Sequence, residues 1–166
     1  MARCAGLAVR AGGNLGPPAL QLLEDGPAEL YVLELSSYQL ETTQSLQLAA
    51  AAVLNLSPDH LDRYAGMDAY AAAKARIFLH CDLAVVNLDD AWTVAMPRAG
   101  QPVRGFSLQQ AQADWGLVQR DGGRWLARAG EPLLPLSALR ISGLHNAANA
   151  LAALALGEGL GLPMPA

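Results

Sequence analysis

The chain is almost without lysine. Of 11 basic residues in 166, only Lys74 is a lysine and the rest are arginines. An amine can lose its proton or be chemically modified, whereas a guanidinium stays charged. With its one lysine inside Ala71-Ala72-Ala73-Lys74-Ala75-Arg76, the chain contains no Gly-Lys phosphate loop. Charge is also scarce, at 16% of residues and a formal net of −4. The arginines are scattered, so no nucleic-acid partner is expected. Cysteine is limited to Cys4 and Cys81, with neither metal-ligand spacing nor a disulfide framework, which fits a reducing, cytoplasmic setting. No apolar run reaches the roughly 18 residues of a membrane span. The N-terminus has no apolar leader core, so neither membrane insertion nor export is expected.

What is present is apolar: 52% of the chain, enough for one domain with a real core. Short apolar runs at Leu30 to Leu35, Ala52 to Leu56 and Leu83 to Val86 read as buried parallel strands. Helical patterns at Pro18 to Leu23, Met67 to Leu79 and His145 to Leu156 stand between or after them. This alternation predicts an α/β fold, a mainly parallel sheet flanked by helices, with its working edge at the strands' carboxyl ends. Between Val103 and Pro135, Trp115 to Gln119 and Trp125 to Ala129 flank Asp121-Gly122-Gly123, which predicts a small antiparallel subsheet. Met1 to Gly6 reads as the end of a helix and Leu7 to Arg10 as a short strand. The chain therefore opens inside an α/β unit, and a fragment is expected.

Several runs carry candidate chemistry. Gly12-Gly13-Asn14-Leu15-Gly16 follows a strand and precedes a helix, so its amides fit either a phosphate or a plain turn. Glu34 interrupts an apolar strand near its carboxyl end. A buried carboxylate there needs a cation, and Ser36 adds a neutral oxygen; an exposed edge glutamate is the other reading. Ser57-Pro58 has the chemistry of a helix start, which puts His60 in a first turn, where the dipole favours a neutral, metal-binding imidazole; a surface histidine is the alternative. Tyr70 and Lys74 share a helix face. If that face lies over a metal, a cationic amine is unfavourable and carbamylation would turn it into a ligand. His145, Asn146 and Asn149 open the last helix, where the two amides suit a purine edge or a cap.

In this order the runs GGNLG, LELSSYQLE, NLSPDHLDRY, AAAKARIF and SGLHNAANALAALAL resemble the central domain of the Mur ligases. That resemblance implies an ATP-dependent ligase of peptidoglycan precursor synthesis that activates a carboxylate as an acyl phosphate. LELSSYQLE and GGNLG resemble the member that joins D-glutamate to UDP-N-acetylmuramoyl-L-alanine. It implies ATP and Mg2+ as cofactors, with Glu34, His60 and a carbamylated Lys74 as metal ligands. Ser36 and Asn14 would stand near the reacting groups, and His145, Asn146 and Asn149 at the nucleotide. A cytoplasmic monomer is implied. The resemblance makes residues 1–166 a truncated central ATP-binding domain, with 103–135 the antiparallel subsheet within it. The family's first strand and its phosphate loop would lie before Met1, so the isolated chain is expected to be inactive. Alternatives are another Mur ligase or a folylpolyglutamate synthase relative, a metal-dependent hydrolase using His60, Asp59 and Lys74, or a non-catalytic remnant.

Overall fold

A computed structural model describes residues 1–24 and 26–163. The elements run β1 (Val9–Gly13), α1 (Gln21–Glu24), β2 (Leu30–Glu34), α2 (Ser37–Thr42), β3 (Leu48–Val53), α3 (Met67–Ala75) and β4 (Cys81–Asn87). They continue with α4 (Ala91–Ala95), β5 (Val103–Phe106), β6 (Trp115–Arg120), β7 (Gly123–Arg128), β8 (Glu131–Pro135) and α5 (Leu144–Gly159). A 3-10 turn, Arg76–Phe78, extends α3.

Six strands form one sheet in the order β3-β4-β5-β6-β7-β8. β3, β4 and β5 are parallel, and β6 to β8 are antiparallel. The join is a single parallel pair, Phe106 with Trp115. The expected α/β architecture is therefore present. Its antiparallel part extends the main sheet, and β5, at the start of the 103–135 stretch, belongs to the parallel half.

β4 shows why an unbroken apolar run suits this position. Successive side chains alternate between faces. Ala84 and Val86 join one core with Ala51, Val53, Tyr70, Ala71 and Phe78, under α3. Val85 joins a second core with Phe106, Trp115, Leu126, Leu151 and Ala155, under α5. α5 buries Ala147, Leu151, Ala152 and Ala155, one stripe of a helix, and small residues let it lie close to the sheet. At Gly159 a Cβ would come within 2.3 Å of Leu83 Cδ2. Leu83 lies early in β4, so α5 runs antiparallel to it and its first turn points toward the sheet's carboxyl edge.

β1 and β2 form a separate two-stranded parallel sheet. The expectation of a buried strand at Leu30 to Leu35 fails here. Tyr31 is 37% and Val32 49% exposed, because among the described residues β2 has only β1 beside it. The strand expected at Ala52 to Leu56 starts earlier, at Leu48, and ends at Val53. Leu54 to Leu56 form the loop beyond it, held by Asn87 and Asp90. No helix among the described residues is long and apolar enough to cross a membrane.

Candidate active site

Asn14 and Glu34 meet at the carboxyl end of the small sheet. The Asn14 amide donates to the Glu34 carbonyl at 2.7 Å, and the Gly13 amide donates to the Pro17 carbonyl at 2.9 Å. Two amides of the glycine-rich run are thus engaged internally rather than open to a phosphate. Gly13 is required: φ is +122°, and a Cβ would lie 2.2 Å from the Glu34 carbonyl oxygen. Glu34 is exposed, which excludes the buried carboxylate and agrees with the other reading, an exposed edge glutamate. Its side chain makes no hydrogen bond or ion pair among the described residues.

Ser36 caps α2. Its hydroxyl accepts from the Gln39 amide at 3.3 Å, while Gln39 Oε1 accepts from the Ser36 amide at 2.9 Å. This reciprocal pair is a capping box, so the Ser36 hydroxyl has a local structural duty. The neighbouring Ser37 hydroxyl is buried without a partner.

His60 does not sit in a helix. Residues 54–60 form a loop, and the following turn donates the Arg63 and Tyr64 amides to the His60 carbonyl. Asp59 Oδ1 accepts the His60 amide at 2.8 Å, a local bond that competes with helix formation. His60 also has φ of +52°, in the left-handed region that is costly for a residue with a Cβ. The helix-dipole reading of its imidazole therefore falls. Instead, aromatic rings hold it: Tyr38 at 5.0 Å between centroids and Tyr70, edge-on, at 5.9 Å. Asp59 Oδ2 lies 3.4 Å from His60 Nε2.

Tyr64 completes the ring cluster, 5.3 Å from Tyr70 and 6.3 Å from Tyr38. Burial pushes the Tyr70 phenol above its ordinary value, so it stays neutral. Lys74, one turn along α3, places Nζ 5.8 Å from the Tyr70 ring centroid, as the four-residue spacing predicts. The Arg63 guanidinium beside Glu41 holds that carboxyl below the usual carboxylate range.

The structure thus brings His60 and Lys74 onto one ring, and Tyr38 links the β2–α2 corner to them. His145, Asn146 and Asn149 open α5 as expected, on the helix end that points to the same edge. Asn146 Nδ2 donates to the Ser142 carbonyl at 2.7 Å, and no hydrogen bond, ion pair or ring contact among the described residues joins these three to the tyrosine cluster.

One polar group that shapes this edge had no place in the reading of the sequence. Asn87 Nδ2 donates to the Leu54 carbonyl at 3.0 Å, and Asp90 Oδ2 accepts the Leu56 amide at 2.7 Å. Asp89 faces the other way, accepting from the Ser107 hydroxyl and the Leu108 amide. Asn87-Leu88-Asp89-Asp90 therefore ties the carboxyl ends of β3, β4 and β5 together. Its signal, polar residues directly after a buried strand, is the one that singled out His60.

Among the described residues no three His, Cys, Asp or Glu converge. A hard cation would draw on the unpaired Glu34 carboxylate, on nucleotide oxygens and on water, which suits Mg2+. Imidazole with an unmodified amine is a poor oxygen-ligand set, whereas a carbamate on Lys74 would supply oxygens beside His60.

The Mur ligase middle domain model matches residues 16–157. The chain is 53% identical, over its whole length, to the UDP-N-acetylmuramoylalanine--D-glutamate ligase of Nitrosococcus oceani. It is 51% identical over 98% of its length to the enzyme of that name in Escherichia coli. In both cases the chain spans 37% of the relative's length. Among solved structures, a UDP-N-acetylmuramoyl-L-alanyl-D-glutamate--2,6-diaminopimelate ligase superposes with a TM-score of 0.68 at 31% identity, covering 86% of this chain and 32% of that one. E. coli FolC shares the fold, with a TM-score of 0.59 at 19% identity over 92% of this chain and 38% of its own. A model matching most of the chain, relatives above half identity, and this sheet with its loaded carboxyl edge agree: the chain belongs to the Mur ligase family, through its middle domain.

Proposed function

We propose that this chain supplies the nucleotide and metal edge of a cytoplasmic, ATP-dependent ligase that joins D-glutamate to UDP-N-acetylmuramoyl-L-alanine. The observation that carries the reading is the 53% identity, over the full chain, to a relative named for that reaction. The substrate carboxylate would attack the terminal phosphorus of ATP, releasing ADP and leaving an acyl phosphate. The amine of D-glutamate would then attack the acyl carbon, lose a proton and expel phosphate.

In this reading Glu34 faces the nucleotide phosphates, and its lack of a protein partner leaves it available. Bound Mg2+ would neutralise phosphate charge and align the reacting oxygens. His60 and a carbamylated Lys74 would hold the second cation on the acyl-phosphate side. Carbamylation joins the Lys74 nitrogen to the carbon of carbon dioxide; starting from the ammonium it releases two protons, replacing a cation by an anionic oxygen pair. Ser36 keeps the β2–α2 corner folded so that Glu34 and Tyr38 hold their places, and Asn14 fixes the Glu34 backbone. Asn149 and the free oxygen of Asn146, with His145, would meet the base.

The test is a chimera in which this chain replaces the corresponding segment of the N. oceani or E. coli relative. Phosphate release should require UDP-N-acetylmuramoyl-L-alanine and D-glutamate together, at a rate within about tenfold of the host enzyme. A chimera that melts cooperatively but releases phosphate with another amino acid, or with none, contradicts the proposal.

A further inference from the structure

We infer that Tyr70 is a positioning residue, whose single buried ring holds the imidazole of His60 and the side chain of Lys74 in one fixed relation. The inference rests on the proposal that His60 and Lys74 serve one site, and it concerns how two flexible parts are brought together. His60 lies on a loop, with a left-handed backbone angle that is uncommon for a residue with a Cβ. No helix fixes it. Lys74 is a four-carbon stem on α3 with no carboxylate partner among the described residues. Both need an external reference to occupy a common place.

Tyr70 has the position to be that reference. It is only 6% exposed, rooted in the core under α3 with Ala71, Ala73 and Phe78. Its ring meets the His60 ring at 5.9 Å and 82°, an edge-to-face contact, and lies 5.8 Å from Lys74 Nζ. Tyr64 backs it at 5.3 Å, and no ring contact joins Tyr64 to His60. The cluster is therefore asymmetric: Tyr64 supports the ring, while Tyr70 touches both functional side chains. The ring, rather than the phenol oxygen, makes these contacts, so phenylalanine should serve and leucine should not.

The scarcity of lysine makes this measurable on the chain itself. Reductive methylation with 13C-labelled formaldehyde marks one side chain, Lys74, besides the N-terminus. The His60 ring protons are resolved from His80 and His145 by substitution. In the wild-type chain both probes should carry ring-current displacements from the rings around them. Tyr70→Phe should keep both displacements, and Tyr70→Leu should lose that of Lys74 and change that of His60, which retains the part due to Tyr38 at 5.0 Å. Tyr64→Leu removes similar buried bulk without touching either probe and should keep them, and thermal melts confirm that each variant is folded. If Tyr70→Leu leaves both probes unmoved, or if Tyr64→Leu moves them as far, the inference is overturned and the cluster is packing alone.

Mn2+ then separates the inference from the reading beneath it. On unmethylated protein, 13C-bicarbonate labels the carbamate that Lys74 would form, and shared coordination predicts that Mn2+ broadens that carbamate signal and the His60 ring protons over the same concentration range. Tyr70→Leu should raise the concentration needed by roughly 3- to 10-fold, the worth of one aromatic contact, with Tyr70→Phe close to wild type. Mn2+ that broadens neither wild-type signal contradicts the shared site, while the displacement comparison still decides whether Tyr70 holds the two side chains.

Discussion

Leu30–Glu34 and Cys81–Asn87 are both apolar strands that end in polar residues, yet they finish in opposite surroundings. β4 has β3 and β5 as neighbours, α3 over one face and α5 over the other, and Ala84, Val85 and Val86 are all buried. Among the described residues β2 has β1 alone beside it, and Tyr31, Val32 and Glu34, three of its five residues, are exposed. An apolar run therefore specifies a strand, while burial comes from what lies alongside it. The contrast also bears on the site: His60 and Lys74 stand over the well-packed sheet, whereas Glu34 and Asn14 ride on the open one.

The largest way to sharpen this comparison is to truncate each sheet. Trp115→Ala removes a fully buried indole whose Nε1 donates to Glu158 at 2.9 Å, and should cost about 3–5 kcal/mol. Val32→Ala, on the small sheet, should stay within about 0.5 kcal/mol. Urea midpoints at unchanged slope measure both, and a large cost at Val32 would show β2 to be covered in solution. An intermediate effect is expected at the tie between strand ends. Asp90→Ala leaves the Leu56 amide without its carboxylate and α4 without its cap, and should cost about 1–3 kcal/mol. Hydrogen exchange should quicken at Leu56 ahead of Val85, and equal acceleration would mean that the loop is not held by Asp90.

The smallest effect lies where the two regions meet, at the exposed pair of Glu41 on α2 and Arg63 in the His60 turn. Glu41 has a lowered carboxyl value in the folded state, so the unfolded chain takes up its proton first as pH falls. The pair's contribution is thus present above the ordinary carboxylate range and disappears as pH drops through the lowered value. Glu41→Gln should flatten that part of the pH–stability curve, and added salt should shrink the difference. A steeper curve in the variant would contradict the assignment.

Much of this was legible in the residues. The helix over Met67 to Leu79, the hairpin at Asp121-Gly122-Gly123 and the Tyr70–Lys74 spacing all stand as read, because each depends on chain-local geometry. β3 was misplaced because its Leu-Ala-Ala-Ala-Ala-Val run carries helix-favouring alanine, whereas its role is a thin strand between close-packed layers. The loop at His60 was hidden by Ser57-Pro58, a genuine helix-start pattern overruled by the Asp59 side chain. For Glu34 the apolar strand leaves a buried and an exposed reading equally open, and the missing information is the identity of the strand's neighbours. The tyrosine cluster joins four residues from α2, the loop after β3 and α3, and no spacing within one segment announces it.

The central claim is that Lys74 acts as a modified metal ligand at the carboxyl edge, and the chimeric ligase tests it most directly. Lys74→Ala should lower D-glutamate-dependent phosphate release by about 10²- to 10³-fold. Added formate or acetate, which can occupy the vacated ligand position, should restore part of it, and Lys74→Arg should gain nothing from either. Undiminished release by Lys74→Ala would contradict the account.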